Sequence, residues 1–161
     1  MILGIDPGLR RCGYAVLAPS GPRVVDAGII TTTPRSQLER RLREIEEGLE
    51  ELLGRHRPRC VAVEDLYAHY KHPRTAILMG HARGVVLLVA ARRRLPVISI
   101  GATQIKKSLT GNGHAAKRQV QQAILVTLGL RRMPDPPDVA DAIAAALAAV
   151  EYAVTPGRQA R

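Results

Sequence analysis

Four carboxylates stand at the ends of apolar segments in this chain. Asp6 and Glu64 each follow directly on a short apolar run, which we interpret as a buried strand. Asp138 and Asp141 open an alanine-rich segment with the length of a helix. Carboxylates at the C-terminal ends of strands project at the edge of a sheet, where α/β proteins bind ligands. The sequence therefore predicts an α/β fold whose distant acids converge on a site for Mg²⁺ or Mn²⁺.

The chain around these acids is strongly basic. It has 24 Lys and Arg against 14 Asp and Glu, and its formal net charge is +10. That balance favours a polyanionic partner such as nucleic acid. The alternative is a basic protein without such a partner, because the arginines are spread over the whole chain. An acidic pocket in a basic protein indicates a metal-dependent nuclease.

Length and cysteine content limit the organisation and the compartment. At 161 residues, we expect a single domain over residues 1–154, with residues 155–161 as a flexible tail. Cys12 and Cys60, the only cysteines, fit buried positions in a reduced, cytoplasmic protein. We expect no signal peptide and no membrane span, since the longest apolar run, residues 85–91, is shorter than about 20 residues.

Hydrophobic periodicity and turn residues predict five strands and five helices. The strands are expected at residues 1–5, 12–18, 24–31, 59–64 and 97–100. The first helix is expected to begin near Pro34, with Thr33 as its N-cap, or slightly later with a capping box from Ser36 to Glu39. The other helices are expected at residues 74–94, 103–109, 116–128 and 138–154. Three strands joined by tight turns, followed by strands joined through helices, predict a mixed sheet with helices on both faces. This is the element order of the ribonuclease H-like folds.

Phosphodiester hydrolysis suits such a site, because two divalent ions about 3.5–4 Å apart activate water and stabilise the leaving oxygen. Asp6, on the central strand, is the natural bridging ligand, and Glu64 on the neighbouring strand reaches the same side. Each acid also has a plainer explanation in a turn, at the surface or at a helix start. Asp65 and Asp135 are further acids that can substitute in this assignment.

The residues resemble the RuvC family of crossover junction endodeoxyribonucleases, the bacterial Holliday-junction resolvases. The matching segments run in order through nearly the whole chain: Gly4-Ile5-Asp6-Pro7-Gly8 with Gly13-Tyr14, Val63-Glu64, Gly80-His81-Ala82-Arg83-Gly84, Lys106 through Gly113 with Lys117, and Asp138-Val139-Ala140-Asp141-Ala142. The resemblance implies an RNase H-like homodimer that nicks a four-way DNA junction in pairs with Mg²⁺, and that acts with the RuvA–RuvB branch-migration machinery.

The same resemblance implies the roles of individual residues. By this resemblance, the metal-binding catalytic residues are Asp6, Glu64, Asp138 and Asp141. Lys106 and Lys117 match the lysines near the scissile phosphate. Tyr67 stands where the family often has Phe, and its ring can stack on a base. Other DNA contacts are expected from basic residues and from glycines that let the backbone approach phosphate, namely Lys71, Arg74, Lys107, Gly111, Gly113 and Arg118.

Three other functions remain open from the residues alone. An actin-like or sugar-kinase ATPase also uses an Asp-Gly turn, but it needs two such domains. A RuvC-like nuclease of ribosomal RNA precursors shares the carboxylates, although the segment from Lys106 to Lys117 and Tyr67 favour a junction enzyme. A non-catalytic junction-binding module is disfavoured by four carboxylates, which repel DNA unless a metal neutralises them.

Overall fold

The computed structural model of the chain describes residues 1–66 and 73–154. Its elements, in chain order, are β1 (Ile2–Asp6), β2 (Arg11–Leu17), β3 (Val24–Thr31), α1 (Leu38–His56), β4 (Cys60–Glu64), α2 (Pro73–Arg92), β5 (Val97–Ile100), α3 (Ala102–Thr110), α4 (Lys117–Leu128) and α5 (Pro137–Val154). The five strands form one sheet in the order β3-β2-β1-β4-β5. The pairs β1–β2 and β2–β3 are antiparallel, whereas β1–β4 and β4–β5 are parallel. The predicted mixed sheet is confirmed.

Side chains of the central strand alternate between two separate cores, one on each face of the sheet. Leu3 and Ile5 pack on the face that α1 and α2 cover. The other face, which includes Ala62, is covered by α3, α4 and α5. Helices on both faces therefore bury the sheet, as predicted, and α5 is nearly all apolar because it lies inside the protein.

The first helix begins later than its predicted start near Pro34. It starts at Leu38, and the side chain of its N-cap, Gln37, makes no capping hydrogen bond. Thr33 instead donates from its backbone N–H and its hydroxyl to the Glu44 carboxylate, and the Ser36 hydroxyl donates to the Thr33 carbonyl. Such local bonds from hydroxyl side chains compete with helix formation. Both predicted caps, at Thr33 and at Ser36, are therefore wrong.

Helix α2 has one buried and one exposed apolar face. Ala82, Val86 and Val89 are buried in the core, whereas the side chains of Ile77 and Leu88 are 60% and 56% exposed. Within the described ranges, α2 is the one helix that is long and apolar enough to cross a membrane. The core helix of a soluble protein can have the same length and composition.

Candidate active site

Asp6 and Glu64 lie side by side at the ends of two neighbouring parallel strands. The register pairs Ile5 with Val63, so the next residue of each strand is an acid. Gly4 and Ala62 precede these acids by two positions, and Ala62 belongs to the core beneath α5. Because side chains alternate along a strand, both carboxylates project toward the face that carries α5. The predicted convergence of these two acids therefore follows from the sheet register.

Two glycines allow α5 to approach the sheet closely enough to add its own acids. A Cβ at Gly4 would collide with the Ala142 carbonyl oxygen and would lie 2.7 Å from the Ala146 Cβ. A Cβ at Gly13, which pairs with Asp6 across β1 and β2, would collide with the carbonyl group of Asp138. Only glycine fits such a close backbone approach. These glycines therefore set the position of the helix start that carries Asp138 and Asp141.

Basic side chains contact the two helical acids. Arg11 Nε lies 3.3 Å from Asp138 Oδ2, and Lys117 Nζ lies 3.1 Å from Asp141 Oδ2. The Arg11 contact is an ion pair without hydrogen-bond geometry, because Asp138 Oδ2 is buried and has no hydrogen-bond partner among the described residues. A buried carboxylate oxygen without a hydrogen bond is costly. Its geometry therefore suits an additional cationic ligand.

Burial and mutual repulsion oppose ionisation of the strand-end acids. Burial, and then the charges of Asp141, Glu64 and Asp138, raise the pKa of Asp6 from 3.8 to about 7. Burial and the nearby Asp141 also raise the pKa of Glu64, against the opposing effect of Lys106 and Lys117. A cluster of acids that resists ionisation binds divalent cations favourably, because the cation removes the repulsion. The raised pKa values of Asp6 and Glu64 are therefore consistent with carboxylates that bind divalent cations.

A cavity of about 320 Å³ opens next to these acids. Two acids, Glu64 and Asp141, and two lysines, Lys106 and Lys117, line it together. A second cavity, of about 440 Å³, lies at the opposite ends of the strands, next to Met1 and Cys60, and most of its lining is apolar. The converging acids and the lysines line the smaller cavity, so this cavity is the better candidate for phosphate chemistry.

The acids do not form a closed metal cage. Within residues 1–66 and 73–154, no three acidic, histidine or cysteine side chains are grouped tightly enough to hold a metal ion by themselves. Mg²⁺ usually keeps several waters and binds one or two carboxylates together with substrate phosphates, rather than an all-protein cage. An open set of hard oxygen donors, with the orphaned Asp138 oxygen among them, fits that requirement.

The remaining predicted DNA-binding residues within the described ranges do not line this cavity. Lys107, Arg118 and Arg74 are exposed on α3, α4 and α2. Gly111 ends α3 in the left-handed conformation, with φ 75°, and a Cβ at Gly113 would lie 2.7 Å from the Thr103 methyl group. Both glycines therefore shape the loop before α4. Tyr67 and Lys71 lie outside the described residues.

Sequence reasoning missed two arginines next to the site. Arg11 contacts Asp138 as described above, and its only sequence signal is its place in the hairpin after Asp6. Arg83 Nη2 donates a 2.7 Å hydrogen bond to Asp65 Oδ1. This hydrogen bond joins Asp65 to α2. Asp135 is exposed in the turn before α5. Neither alternative acid lies with the four that converge.

Comparisons with known proteins identify the family of the chain. The family model described as crossover junction endodeoxyribonuclease RuvC matches residues 2–149. A crossover junction endodeoxyribonuclease RuvC of Rhodopirellula baltica is 50% identical over 148 residues, covering 91% of this chain and 83% of that protein. The corresponding protein of Desulforamulus reducens is 39% identical over 159 residues, covering 98% and 97%.

A solved structure shows the same fold. The structure described as T. thermophilus RuvC in complex with Holliday junction substrate has a TM-score of 0.87 and 36% sequence identity, covering 94% of this chain and 93% of that one. The expected RNase H-like fold is therefore confirmed, and so is the resemblance drawn from the motifs. The chain belongs to the RuvC family of crossover junction endodeoxyribonucleases.

Proposed function

We propose that this chain resolves four-way DNA junctions by paired, symmetric hydrolysis of phosphodiester bonds, in recombination and repair. The observation that carries the proposal is the convergence of Asp6, Glu64 and Asp141 beside Lys106 and Lys117. The solved structure of a family relative is described as a complex with a Holliday junction substrate. We expect residues 1–154 to act as one nuclease domain in the cytoplasm.

The acids and the lysines have different roles at the scissile phosphate. Asp6, Glu64, Asp138 and Asp141 would hold two Mg²⁺ ions, with Mn²⁺ as a possible substitute. Bound cations supply Lewis-acid activation of water and stabilisation of the leaving oxygen. Lys106 and Lys117 would neutralise the phosphate that enters the cavity, because both lysines line it and Lys117 Nζ lies 3.1 Å from Asp141 Oδ2. Entry of DNA would then release Lys117 from Asp141.

The first test is cleavage of a synthetic four-way junction with Mg²⁺, compared with a linear duplex and an RNA–DNA hybrid of the same sequence. Paired nicks at symmetric positions in the junction alone are the expected result. Cleavage of the hybrid instead would move the function to another RNase H-like branch. Tight junction binding without cleavage would favour a non-catalytic binding module.

Two symmetric cuts require two active sites, and we propose a homodimer that pairs the exposed face of α2. Ile77, Gly84 and Leu88 lie on this face at helical spacing, and exposed apolar patches of this kind mark interaction sites. A two-fold interface presents the same patch from both subunits. The RuvA–RuvB complex is expected as a further partner, from the family resemblance alone.

Leu88→Glu should convert the dimer to a monomer, because it places two like charges at the two-fold interface. Light scattering over a range of protein concentrations measures the mass directly. The control is Val126→Glu on α4, which changes an apolar side chain that is 72% exposed and should leave the mass unchanged. A dimeric Leu88→Glu variant would assign the interface to another surface. On a junction, the monomer should make single rather than paired nicks.

A further inference from the structure

Arg83 joins helix α2 to the end of the strand that carries Glu64. Its Nη2 donates hydrogen bonds to Asp65 Oδ1 at 2.7 Å and to the Ser99 hydroxyl at 2.8 Å. Its Nε donates a longer bond, of 3.4 Å, to the carbonyl oxygen of Glu64. The Arg83 side chain is only 20% exposed. One guanidinium therefore holds α2, β4 and β5 together next to the active site.

The pair with Arg83 also holds Asp65 on the side of the sheet that faces away from the active site. Asp65 continues the β4–β5 pairing through a backbone hydrogen bond of 3.0 Å to the Ile100 carbonyl. Successive residues of an extended strand point to opposite faces, so Asp65 points toward α2 while Glu64 points toward α5. The Asp65 side chain is nevertheless 37% exposed. Without its arginine, this carboxylate would be a free anion adjacent to Glu64.

We propose that Arg83 is a positioning residue that holds the Asp65 carboxylate away from the cation site. As a result, Glu64 is the metal ligand at the end of β4 and Asp65 is not. The inference rests on the proposed function of the four acids. Its physical basis is charge. Two adjacent carboxylates would share an incoming cation, and the guanidinium prevents this by engaging one of them with a charge-assisted hydrogen bond.

Arg83→Met tests the idea, because it keeps much of the apolar stem and removes the charge. We expect the single-turnover rate of junction cleavage to fall by about 10–100-fold, the usual cost of losing a partner in the outer shell of a metal site. Junction affinity without metal should change by less than about twofold, because the Arg83 side chain is mostly buried and its guanidinium is bonded to protein groups. Arg83→Lys should restore only part of the rate, since lysine lacks the forked geometry.

A second readout does not depend on cleavage. The Mn²⁺ concentration that gives half of the maximal rise in Tm should decrease by about fivefold in Arg83→Met, because the variant adds a free anion beside the site. Asp65→Asn introduced into Arg83→Met should return both the Mn²⁺ midpoint and the cleavage rate close to wild type. Slower cleavage with tighter cation binding, both reversed by Asp65→Asn, is the signature of a cation shared with Asp65.

The matched control is Arg93→Met, which breaks the exposed pair between Arg93 and Glu50 at the other end of α2 and should change neither readout. Weaker Mn²⁺ binding with a lower Tm, unrelieved by Asp65→Asn, would make Arg83 a structural brace only and overturn the inference. So would an unchanged rate in Arg83→Met. A wild-type protein that does not cleave junctions would overturn the proposed function instead, and the Mn²⁺ midpoints would still decide the role of Arg83.

Discussion

Asp6→Asn should abolish junction cleavage and, at the same time, make the metal-free protein more stable above pH 7. Asp6 lies at the centre of the acid cluster, next to Glu64 and opposite Gly13. The amide keeps the shape of the carboxyl group but cannot provide the negative charge that holds a cation. The cleavage rate should fall by more than about 100-fold, beyond the cost of losing an outer partner of a metal ligand.

The stability gain follows from the raised pKa of Asp6, which shifts from 3.8 to about 7. The folded protein binds this proton more tightly than the unfolded chain does, so the wild type loses stability as the pH rises from about 4 to 7. The full shift corresponds to about 4 kcal/mol. Since neighbouring side chains relax around the charge, we expect Asp6→Asn to gain about 2 kcal/mol at pH 8 and almost nothing at pH 4.

Urea unfolding in EDTA at both pH values measures the gain, and repeating it with Mg²⁺ completes the experiment. Mg²⁺ should stabilise the wild type by binding to the folded state only, but should not stabilise the variant. Glu47→Gln is the control, because it removes one charge at an exposed pair with Arg43 on α1 and should leave cleavage unchanged. An Asp6→Asn protein with wild-type stability at every pH would show that the cluster is not repulsive.

The parts of the site that follow local rules could be predicted from sequence. An acid directly after an apolar run marks a strand end, and the three-residue spacing of Asp138 and Asp141 puts them on one helix face. Two hairpins make β3 parallel to β1, and the crossover from β3 through α1 adds β4 parallel to both, beside β1 at the free edge of the meander. Asp6 and Glu64 are therefore brought together by strand periodicity and connectivity alone.

Long basic side chains and helix starts could not be predicted in the same way. Arg83 is 18 residues from Asp65 in the chain, and its choice of partner depends on how α2 lies across the sheet. Arg41 is one of several charged residues of α1, and nothing in the sequence indicates that its guanidinium donates to the Thr32 hydroxyl and to the Leu9 carbonyl, bracing the turn after Asp6. Thr33 offered a helix cap by its type, yet it bonds to Glu44. Each of these outcomes is decided by tertiary packing.

Gly4→Ala should destabilise the protein and inactivate it through a single added methyl group. Gly4 is in the central strand, and its Cβ would collide with the backbone carbonyl of Ala142 in α5. A backbone group cannot move aside as a side-chain tip can, so α5 has to retreat. Overpacking of this kind costs about 1–3 kcal/mol and occasionally more, and we expect the upper end, measured by urea unfolding.

The same retreat explains why activity should fall as well. Asp138 and Asp141 occupy the first turns of α5, and a displacement of about 1 Å of a catalytic group can cost about 100-fold in rate. Gly54→Ala is the matched control, because it adds the same methyl group within α1, where no atom lies within 4 Å, and should stabilise the protein by about 0.5–1 kcal/mol.

Adding Ala146→Gly to Gly4→Ala removes the contact with the Ala146 Cβ but leaves the collision with the Ala142 carbonyl. The double variant should therefore remain inactive, whereas recovery of cleavage would show that side-chain crowding, rather than the backbone approach, sets the position of α5.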